Sequence, residues 1–366
     1  MHPNSIIIAS LVLLLLPFRC VTAKGDGQGA KDNSLPSETT ANCYNPSDPN
    51  EIRLWKGRAP GSSGDDPCRD IPFLHIYPAP DASQALRPAV LLIPGGGYDR
   101  LTNRKEQAPV AGYFSQKLGL TTFVLYYRLV QTDGTYRYPV PMWDGQRALK
   151  LIRYRAKDYG IDSNRVGVFG FSAGGHLAST LALHSATDFN LPVHDAVDSM
   201  KGRPDFLGLG YPVISMIPTQ FASPSSLSHL LNGYRGDELN GLENYLSGQD
   251  NITRNTPPVF LFESMDDKRI SPQNSVIFAR ALQAAHIPAD VHLFAHGVHG
   301  AGLATDIPEE QTWPALFHQW LERQGFLASQ EDGQHLHKPV EACLLAALTA
   351  RWCKRVFSEF VQSDSS

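Results

Sequence analysis

The segment from residue 165 to residue 184 constrains the fold of this chain more than any other. An apolar run, Arg165 to Phe171, leads through Gly170-Phe171-Ser172-Ala173-Gly174 into a helical pattern that extends from Ala173 to His184. A serine between a buried strand and a helix sits on a tight, strained turn, so its close neighbours must be glycine. The pattern therefore predicts a strand, a sharp turn and a helix, with Ser172 as a candidate nucleophile. The N–H of Ala173 and the helix N-terminus would face a developing oxyanion.

Strand and helix patterns alternate along the rest of the chain. The other predicted strands cover residues 71–77, 88–93, 121–127, 206–211, 258–262 and 289–294. Helices are predicted over residues 143–154, with Asp144 as a candidate cap, and over residues 275–285 and 309–323. This alternation favours an α/β fold whose mostly parallel central sheet carries helices on both faces. Residues 212–257 interrupt it with a long polar insertion, which we interpret as a candidate lid.

A glycine-rich loop follows one of these strands. Pro94-Gly95-Gly96-Gly97-Tyr98 comes directly after the run at residues 88–93. Glycines let backbone amides approach a ligand closely. A loop at this position, upstream of the serine turn, is typical of the oxyanion loop of esterases.

A serine nucleophile needs a base, and the base needs an acid to orient it. With this type of turn the acid and then the histidine follow the serine, each on a loop after a late strand. Asp266 and Asp267 follow the strand at residues 258–262, and His296 and His299 follow the strand at residues 289–294. We therefore expect a triad of Ser172, one of these aspartates and one of these histidines.

Two choices in this triad rest on neighbouring residues. Asp267 is preferred because Ile270 can pack under its loop, whereas Asp266 can serve as a turn or cap residue. His299 is preferred over His296 because Gly300 suits a mobile loop above the serine. No cysteine or acidic cluster completes a metal site around the two histidines, so no metal is predicted. Acyl transfer by a serine triad implies no cofactor either. His176, on the helix after Ser172, is interpreted as a packed, hydrogen-bonded neighbour.

These motifs resemble the acetylxylan-esterase and acetyl-esterase-like branch of the α/β-hydrolases, which also includes feruloyl-esterase-like and lipase-like proteins. The resemblance extends over about residues 51 to 325. The matching segments are Pro94–Tyr98, Tyr127-Arg128-Leu129, Tyr138-Pro139, Asp144–Ala148, Gly170–Ala178, Thr256-Pro257-Pro258, Asp266-Asp267 and His299-Gly300. It implies an α/β-hydrolase fold, with Ser172 as nucleophile, Asp267 as acid and His299 as base. It also implies that Gly96, Gly97 and Ala173 supply the oxyanion amides.

The two ends of the chain lie outside this resemblance. Ile6 to Phe18 is apolar and precedes Val21-Thr22-Ala23, so residues 1–23 are predicted to be a signal peptide cleaved before Lys24. The alternatives are an uncleaved anchor or a misread start. Residues 24–50 read as a polar linker, and residues 51–327 as the catalytic domain. Residues 328–366 read as a linker and an amphipathic helix that docks on the domain, with a dimer or membrane-surface role as the alternative.

Four cysteines would remain after such a cleavage, namely Cys43, Cys68, Cys343 and Cys353. An even number in an oxidising compartment permits two disulfides in three connectivities. If Cys343 and Cys353 share one helix, about 15 Å separates them, which is too far for a disulfide between the two. The pairing is otherwise open, and four free thiols are the alternative.

The function predicted from these features is that of a secreted or periplasmic serine esterase that removes short acyl groups, acetyl above all, from a carbohydrate such as acetylated xylan. The net charge of -4 gives no indication of the excess of basic residues that nucleic-acid binding requires. The expected partner is a small-molecule or polysaccharide ester, and membrane contact is not expected. A lipase, a feruloyl esterase or a peptidase would use the same triad, and a non-catalytic binding protein on the same fold is a further alternative.

Overall fold

A computed structural model describes residues 42–80, 86–102 and 104–328. Eight strands form one sheet: β1 (Glu51–Arg53), β2 (Phe73–Tyr77), β3 (Arg87–Ile93), β4 (Thr121–Tyr126), β5 (Ile161–Phe171), β6 (Leu207–Gly210), β7 (Val259–Ser264) and β8 (Ala289–Phe294). Their order across the sheet is β1-β2-β4-β3-β5-β6-β7-β8. The pairs β1–β2 and β2–β4 are antiparallel, and every pairing from β4 through β8 is parallel. The predicted mostly parallel sheet is confirmed.

Seven α-helices accompany the sheet in the described ranges: α1 (Ala108–Gln116), α2 (Val140–Tyr154), α3 (Ser172–Leu183), α4 (Pro224–Leu230), α5 (Gly236–Tyr245), α6 (Gln273–Ala284) and α7 (Trp313–Arg323). Successive residues of β5 show that helices cover both faces of the sheet. The ring of Phe169 lies 5.3 Å from that of Phe114 in α1 and 5.3 Å from that of Trp313 in α7. A Cβ built on Gly170 would lie 2.8 Å from the Cβ of Ala178 in α3. Because side chains alternate along a strand, α1 and α7 lie on one face and α3 on the other.

Aromatic side chains pack α7 against the sheet. Trp313, Phe317 and Trp320, which the sequence places at helical spacing, are fully buried. Trp313 stacks on Phe262 of β7, with the ring centroids 4.6 Å apart. Burial of each such ring contributes about 2–3 kcal/mol of hydrophobic stabilisation. His299 lies on the loop between β8 and α7. Because α7 is held against the sheet, the end of this loop is fixed as well.

The sequence interpretation of Asp144 as a helix cap is wrong. Helix α2 begins at Val140, and Pro139 occupies its N-cap position without a side-chain hydrogen bond. Asp144 lies inside the helix and is fully buried against Arg128, whose Nη2 is 2.6 Å from Asp144 Oδ1. A buried guanidinium needs a paired carboxylate, and this requirement explains the aspartate at that position.

Several elements were not predicted because their sequences carry weak signals. Strand β1 has only three residues, and all are partly exposed. Helix α1 has neither a side-chain cap nor an acidic residue in its first turn. The polar insertion at residues 212–257, interpreted from the sequence as a candidate lid, contains α4 and α5, for which no helix was predicted.

The described part of the expected linker at residues 24–50 packs on the sheet. A disulfide joins Cys43 to Cys68, and the ring of Tyr44 lies 5.7 Å from that of Phe73 in β2. The predicted signal peptide, the tail from residue 329 onward, Cys343 and Cys353 lie outside the described residues. Within the described ranges, none of the helices is both long and apolar enough to span a bilayer.

Candidate active site

Ser172 stands at the sharp turn between β5 and α3. Its φ is 51°, in the left-handed region that residues other than glycine seldom adopt. A Cβ on Gly170 would lie 2.2 Å from the carbonyl oxygen of Gly174, and one on Gly174 would lie 2.2 Å from the carbonyl oxygen of Ile93. Both glycines of the motif are therefore required by close backbone approach.

Two loops bring an aspartate and a histidine to this serine. Ser172 Oγ lies 2.9 Å from His299 Nε2, and His299 Nδ1 lies 2.7 Å from Asp267 Oδ2. A neutral imidazole that donates from Nδ1 to the carboxylate is left to accept the hydroxyl proton of Ser172 at Nε2. The side chain of Asp267 is 1% exposed and that of His299 is 12% exposed. The three residues preferred from the sequence thus form one continuous chain of hydrogen bonds.

The loop after β7 separates the roles of its two aspartates. Asp267 Oδ1 accepts the N–H groups of Arg269 at 2.7 Å and Ile270 at 3.0 Å, which fixes the carboxylate that faces His299. Asp266 instead accepts the N–H of Gly297 at 2.9 Å and lies 3.4 Å from His296, whose side chain is 78% exposed. Asp266 and His296 hold the two loops together on their outer side and do not approach Ser172 closely enough to hydrogen-bond it.

The glycine-rich loop after β3 lies over the same serine. A Cβ on Gly95 would lie 2.8 Å from the Cβ of Ser172. Gly96 has a φ of 126°, and a Cβ there would lie 2.2 Å from the carbonyl oxygen of Arg100. The Gly95 N–H donates to Glu106 Oε2 at 2.8 Å, so this amide is already occupied. The N–H groups of Gly96 and Gly97 remain as the candidates for binding an oxyanion, opposite the N–H of Ala173 at the start of α3.

A cavity of about 450 Å³ opens over Ser172, His299 and the two glycines. Its other walls are largely polar, and its lining includes Arg100, Arg104, Arg269, Ser223, Ser225 and Ser226. The serines come from the segment that begins α4, so the insertion at residues 212–257 contributes one wall of the cavity. Such a lining suits a polar substrate better than a long hydrocarbon chain.

Three buried carboxyl groups near the triad were missed by the sequence analysis. Burial, with the charge of Asp267 as a second cause, raises the pKa of Glu263 to about 8. Burial also raises the pKa of Glu310 to about 7. Burial raises the pKa of Glu106, and the hydrogen bonds from Gly95 and Tyr211 oppose that shift. Isolated acidic residues in a sequence carry no signal that they are buried together, so nothing local could have singled these out.

His176 is packed and hydrogen-bonded, as expected from the sequence. Its Nε2 donates to the carbonyl of Leu246 at 2.9 Å, which leaves Nδ1 to accept the hydroxyl of Tyr98 at 2.6 Å. Burial lowers the pKa of His176 to about 4, so the ring is neutral at pH 7.

Only one group among the described residues has ligand atoms close enough to hold a metal ion. It consists of Asp48, Glu51 and His75, with ligand atoms within 4.8 Å of one another. These side chains are partly exposed at the β1 edge of the sheet, and none of them lines the cavity above Ser172. Because exposed carboxylates often gather without an ion, we assign no metal to this cluster.

Known proteins are similar to this chain in sequence and in fold. The family model described as BD-FAE matches residues 74–282. Endo-1,4-beta-xylanase B of Butyrivibrio fibrisolvens is 33% identical over 241 residues, which are 64% of this chain and 35% of that protein. The acetylxylan esterase of Xylanibacter ruminicola is 31% identical over 220 residues, which are 59% of this chain and 42% of that protein. The match thus spans well under half the length of these two curated relatives.

A solved structure matches over nearly its full length. The acetyl ester-xyloside bifunctional hydrolase from Caldicellulosiruptor lactoaceticus superimposes with a TM-score of 0.67 and 36% sequence identity. The match covers 76% of this chain and 97% of that one. The chain therefore belongs to the BD-FAE family and has the α/β-hydrolase fold of acetylxylan-esterase-like proteins.

Proposed function

We propose that this protein is a serine esterase that hydrolyses short-chain esters, acetyl above all, on a carbohydrate such as acetylated xylan. The observation that carries the proposal is the hydrogen-bond chain from Ser172 through His299 to Asp267, which opens on a polar cavity. Serine, histidine and an orienting acid at these distances are the arrangement that acyl transfer needs.

In the first half of the reaction, Ser172 Oγ attacks the ester carbonyl carbon while its proton passes to His299 Nε2. Asp267, hydrogen-bonded to Nδ1, orients the ring and stabilises the imidazolium. When the tetrahedral intermediate collapses, the bond to the alcohol oxygen breaks and that oxygen takes the proton from Nε2. The acyl group remains bound to Ser172.

In the second half, water attacks the acyl-enzyme carbonyl and gives its proton to His299 Nε2. Collapse of this intermediate breaks the bond to Oγ, which regains the proton, and the carboxylic acid leaves. The N–H groups of Gly96, Gly97 and Ala173 bind the oxyanion in both intermediates, and the N-terminus of α3 adds a favourable potential. No cofactor takes part in these steps.

The proposed substrate class rests on the relatives and on the cavity. Two similar proteins are named for acetyl esters and xylan or xyloside, and a third is named a xylanase. Hydroxyl-rich sugars match a cavity lined by arginine and serine side chains, and the same lining disfavours the long chains of lipase substrates.

We further propose that residues 1–23 direct export and are removed. The apolar stretch from Ile6 to Phe18 supports this proposal, and so does the Cys43–Cys68 disulfide, because such bonds persist in oxidising compartments. Mass spectrometry of the exported chain should find Lys24 at its N-terminus. Retention of Met1 on an exported or membrane-bound chain would contradict cleavage.

The first experiment measures acetate released from acetylated xylan by the purified chain and by Ser172→Ala. We expect release by the wild type alone. The two histidines of the loop after β8 give a matched pair, since His299→Asn should abolish release while His296→Asn, changed in the same way at an exposed position, should retain it. Release by Ser172→Ala equal to the wild type would refute the proposed nucleophile.

A second measurement separates the alternatives. A series of 4-nitrophenyl esters from acetate to palmitate should show the highest kcat/KM at the short end. A preference for long chains would indicate a lipase, release of ferulate a feruloyl esterase, and cleavage of amides a peptidase. A folded wild type that hydrolyses none of these substrates and is not labelled by a fluorophosphonate probe would favour the alternative of a non-catalytic binding protein.

A further inference from the structure

A buried carboxylate lies between the oxyanion loop and the histidine loop. Glu106 is 1% exposed, and its Oε2 accepts the N–H of Gly95 at 2.8 Å. Gly95 immediately precedes the two glycines proposed to bind the oxyanion. The hydrogen bond to Glu106 therefore holds the backbone immediately before these two glycines.

The second oxygen of Glu106 connects to the loop that carries His299. Tyr211 donates its hydroxyl to Glu106 Oε1 at 2.9 Å, and the same hydroxyl oxygen accepts the N–H of Gly302 at 3.0 Å. The ring of Tyr211 lies against the His299 imidazole with the centroids 5.0 Å apart in an edge-on arrangement. Tyr211 is 1% exposed, so these contacts are shielded from water.

The hydrogen bonds that join the two loops require the carboxylate of Glu106 and the hydroxyl of Tyr211. A carboxylate has acceptors on both oxygens and can serve Gly95 and Tyr211 at once, whereas an amide has one acceptor and one donor. A tyrosine hydroxyl can donate to Glu106 while it accepts from Gly302, whereas phenylalanine can do neither. The bonds are buried, so breaking one leaves a polar group unsatisfied in a site of low dielectric.

We propose that Glu106, together with Tyr211, is a positioning pair that fixes the oxyanion loop relative to His299. This inference rests on the proposed function and deepens it, because the pair acts through Gly95, Gly302 and the His299 ring. Its removal displaces the oxyanion donors and the base from each other. Glu106 also lines the cavity, and Glu106→Gln keeps the size of that side chain, while Tyr211 is not among the lining residues. Catalysis is sensitive to such displacement, since a misplacement of about 1 Å can cost on the order of 100-fold in rate.

The test compares Glu106→Gln, Tyr211→Phe and the double variant with the wild type on 4-nitrophenyl acetate. Tyr127→Phe is the matched control, because Tyr127 is also buried but its hydroxyl has no hydrogen-bond partner among the described residues. Circular dichroism and the melting temperature establish that each variant is folded at the assay temperature. If Glu106→Gln does not fold, Tyr211→Phe still tests the proposal, since it keeps the ring and the carboxylate.

We expect kcat to fall about 10- to 100-fold in each single variant, with KM within about twofold of the wild type. The double variant should lose little more than either single variant, because both break the same connection. Tyr127→Phe should stay within twofold. A kcat within threefold of the wild type in folded Tyr211→Phe, or an equal loss in Tyr127→Phe, would overturn the positioning role.

The failure of this inference differs from a failure of the proposed function. If the wild type hydrolyses the ester and reacts with a fluorophosphonate at Ser172, the esterase proposal stands whatever the variants do. A folded wild type that neither hydrolyses the ester nor reacts with the probe would overturn the esterase proposal and this inference with it.

Discussion

The buried carboxyl of Glu263 makes the stability of this protein depend on pH. The group is fully buried at the end of β7, where Oε1 accepts the N–H of Ser264 at 2.9 Å and Oε2 accepts the hydroxyl of Ser275 at 3.0 Å. Burial and the nearby charge of Asp267 raise its pKa from 4.5 to about 8. The folded protein therefore holds this proton at pH 7, whereas the unfolded chain has released it.

The sign of the effect follows from linkage. Between pH 4.5 and about 8 the folded state binds more protons than the unfolded state, so the free energy of unfolding falls as the pH rises. One proton corresponds to about 1.4 kcal/mol per pH unit, so the loss due to Glu263 reaches a few kcal/mol across that window. Above pH 8 the loss is complete, and below pH 4.5 it is absent. Glu310, whose pKa burial raises to about 7, acts with the same sign.

The variant Glu263→Gln replaces the protonated carboxyl with a neutral group of the same shape. Its free energy of unfolding relative to the wild type should rise as the pH increases from 5 to 8, by roughly 1.4 kcal/mol per unit where the slope is steepest. Glu238→Gln makes the same chemical change at an exposed position on α5, and its difference from the wild type should change much less over this range.

Urea unfolding followed by tryptophan fluorescence measures the free energy of unfolding of the wild type and both variants at each pH, with the ionic strength held constant. The reasoning fails if the wild type and Glu263→Gln lose stability with equal slopes between pH 5.5 and 7.5. It also fails if Glu263→Gln becomes less stable relative to the wild type as the pH rises.

Three further perturbations test other parts of the structure. Asp144→Asn leaves the fully buried Arg128 guanidinium without a charged partner and should lower the free energy of unfolding by about 3–5 kcal/mol in urea titrations; a loss under 1 kcal/mol would contradict the buried pair. Replacing Cys43 and Cys68 with serine should lower the free energy of unfolding by about 3 kcal/mol, since the disulfide closes a sequence separation of 25 residues. A reducing agent should lower the stability of the wild type by the same amount and should not affect the variant. Gly96→Ala puts a Cβ 2.2 Å from a backbone carbonyl oxygen at a φ of +126° and should lower kcat for 4-nitrophenyl acetate by about tenfold or more. Gly112→Ala, in the open interior of α1, should leave kcat unchanged and stabilise the fold by about 0.5–1 kcal/mol, and equal kcat in both alanine variants would contradict the role of the loop.

Local patterns in the sequence were sufficient to locate the strands of the parallel sheet and the turn at Ser172. Buried strands read as short apolar runs, and a serine turn needs glycines at fixed offsets, so both features depend on residues close in the chain. The chain order of serine, acid and histidine further limited the partners of Ser172 to two aspartates and two histidines.

Tertiary structure decided what those local patterns left open. His299 contacts Ser172 and is itself bound by Asp267, while Asp266 and His296 pair on the outside, because the two loops fold against each other from different strands. Asp144 was interpreted as a cap from its place near a helix start, yet it belongs to a buried ion pair formed across the fold.

The groups that surround the site were determined only by folding. Glu106 and Tyr211 are separated by 105 residues in sequence and form one hydrogen-bonded connection. Glu263 and Glu310 become buried near Asp267 because β7 and the segment before α7 come together there. The sequence by itself determined the strand pattern, the serine turn and the candidate nucleophile, since each depends on neighbours along the chain. The choice of partners, their burial and their protonation depend on contacts between distant segments, which only the packed tertiary structure creates.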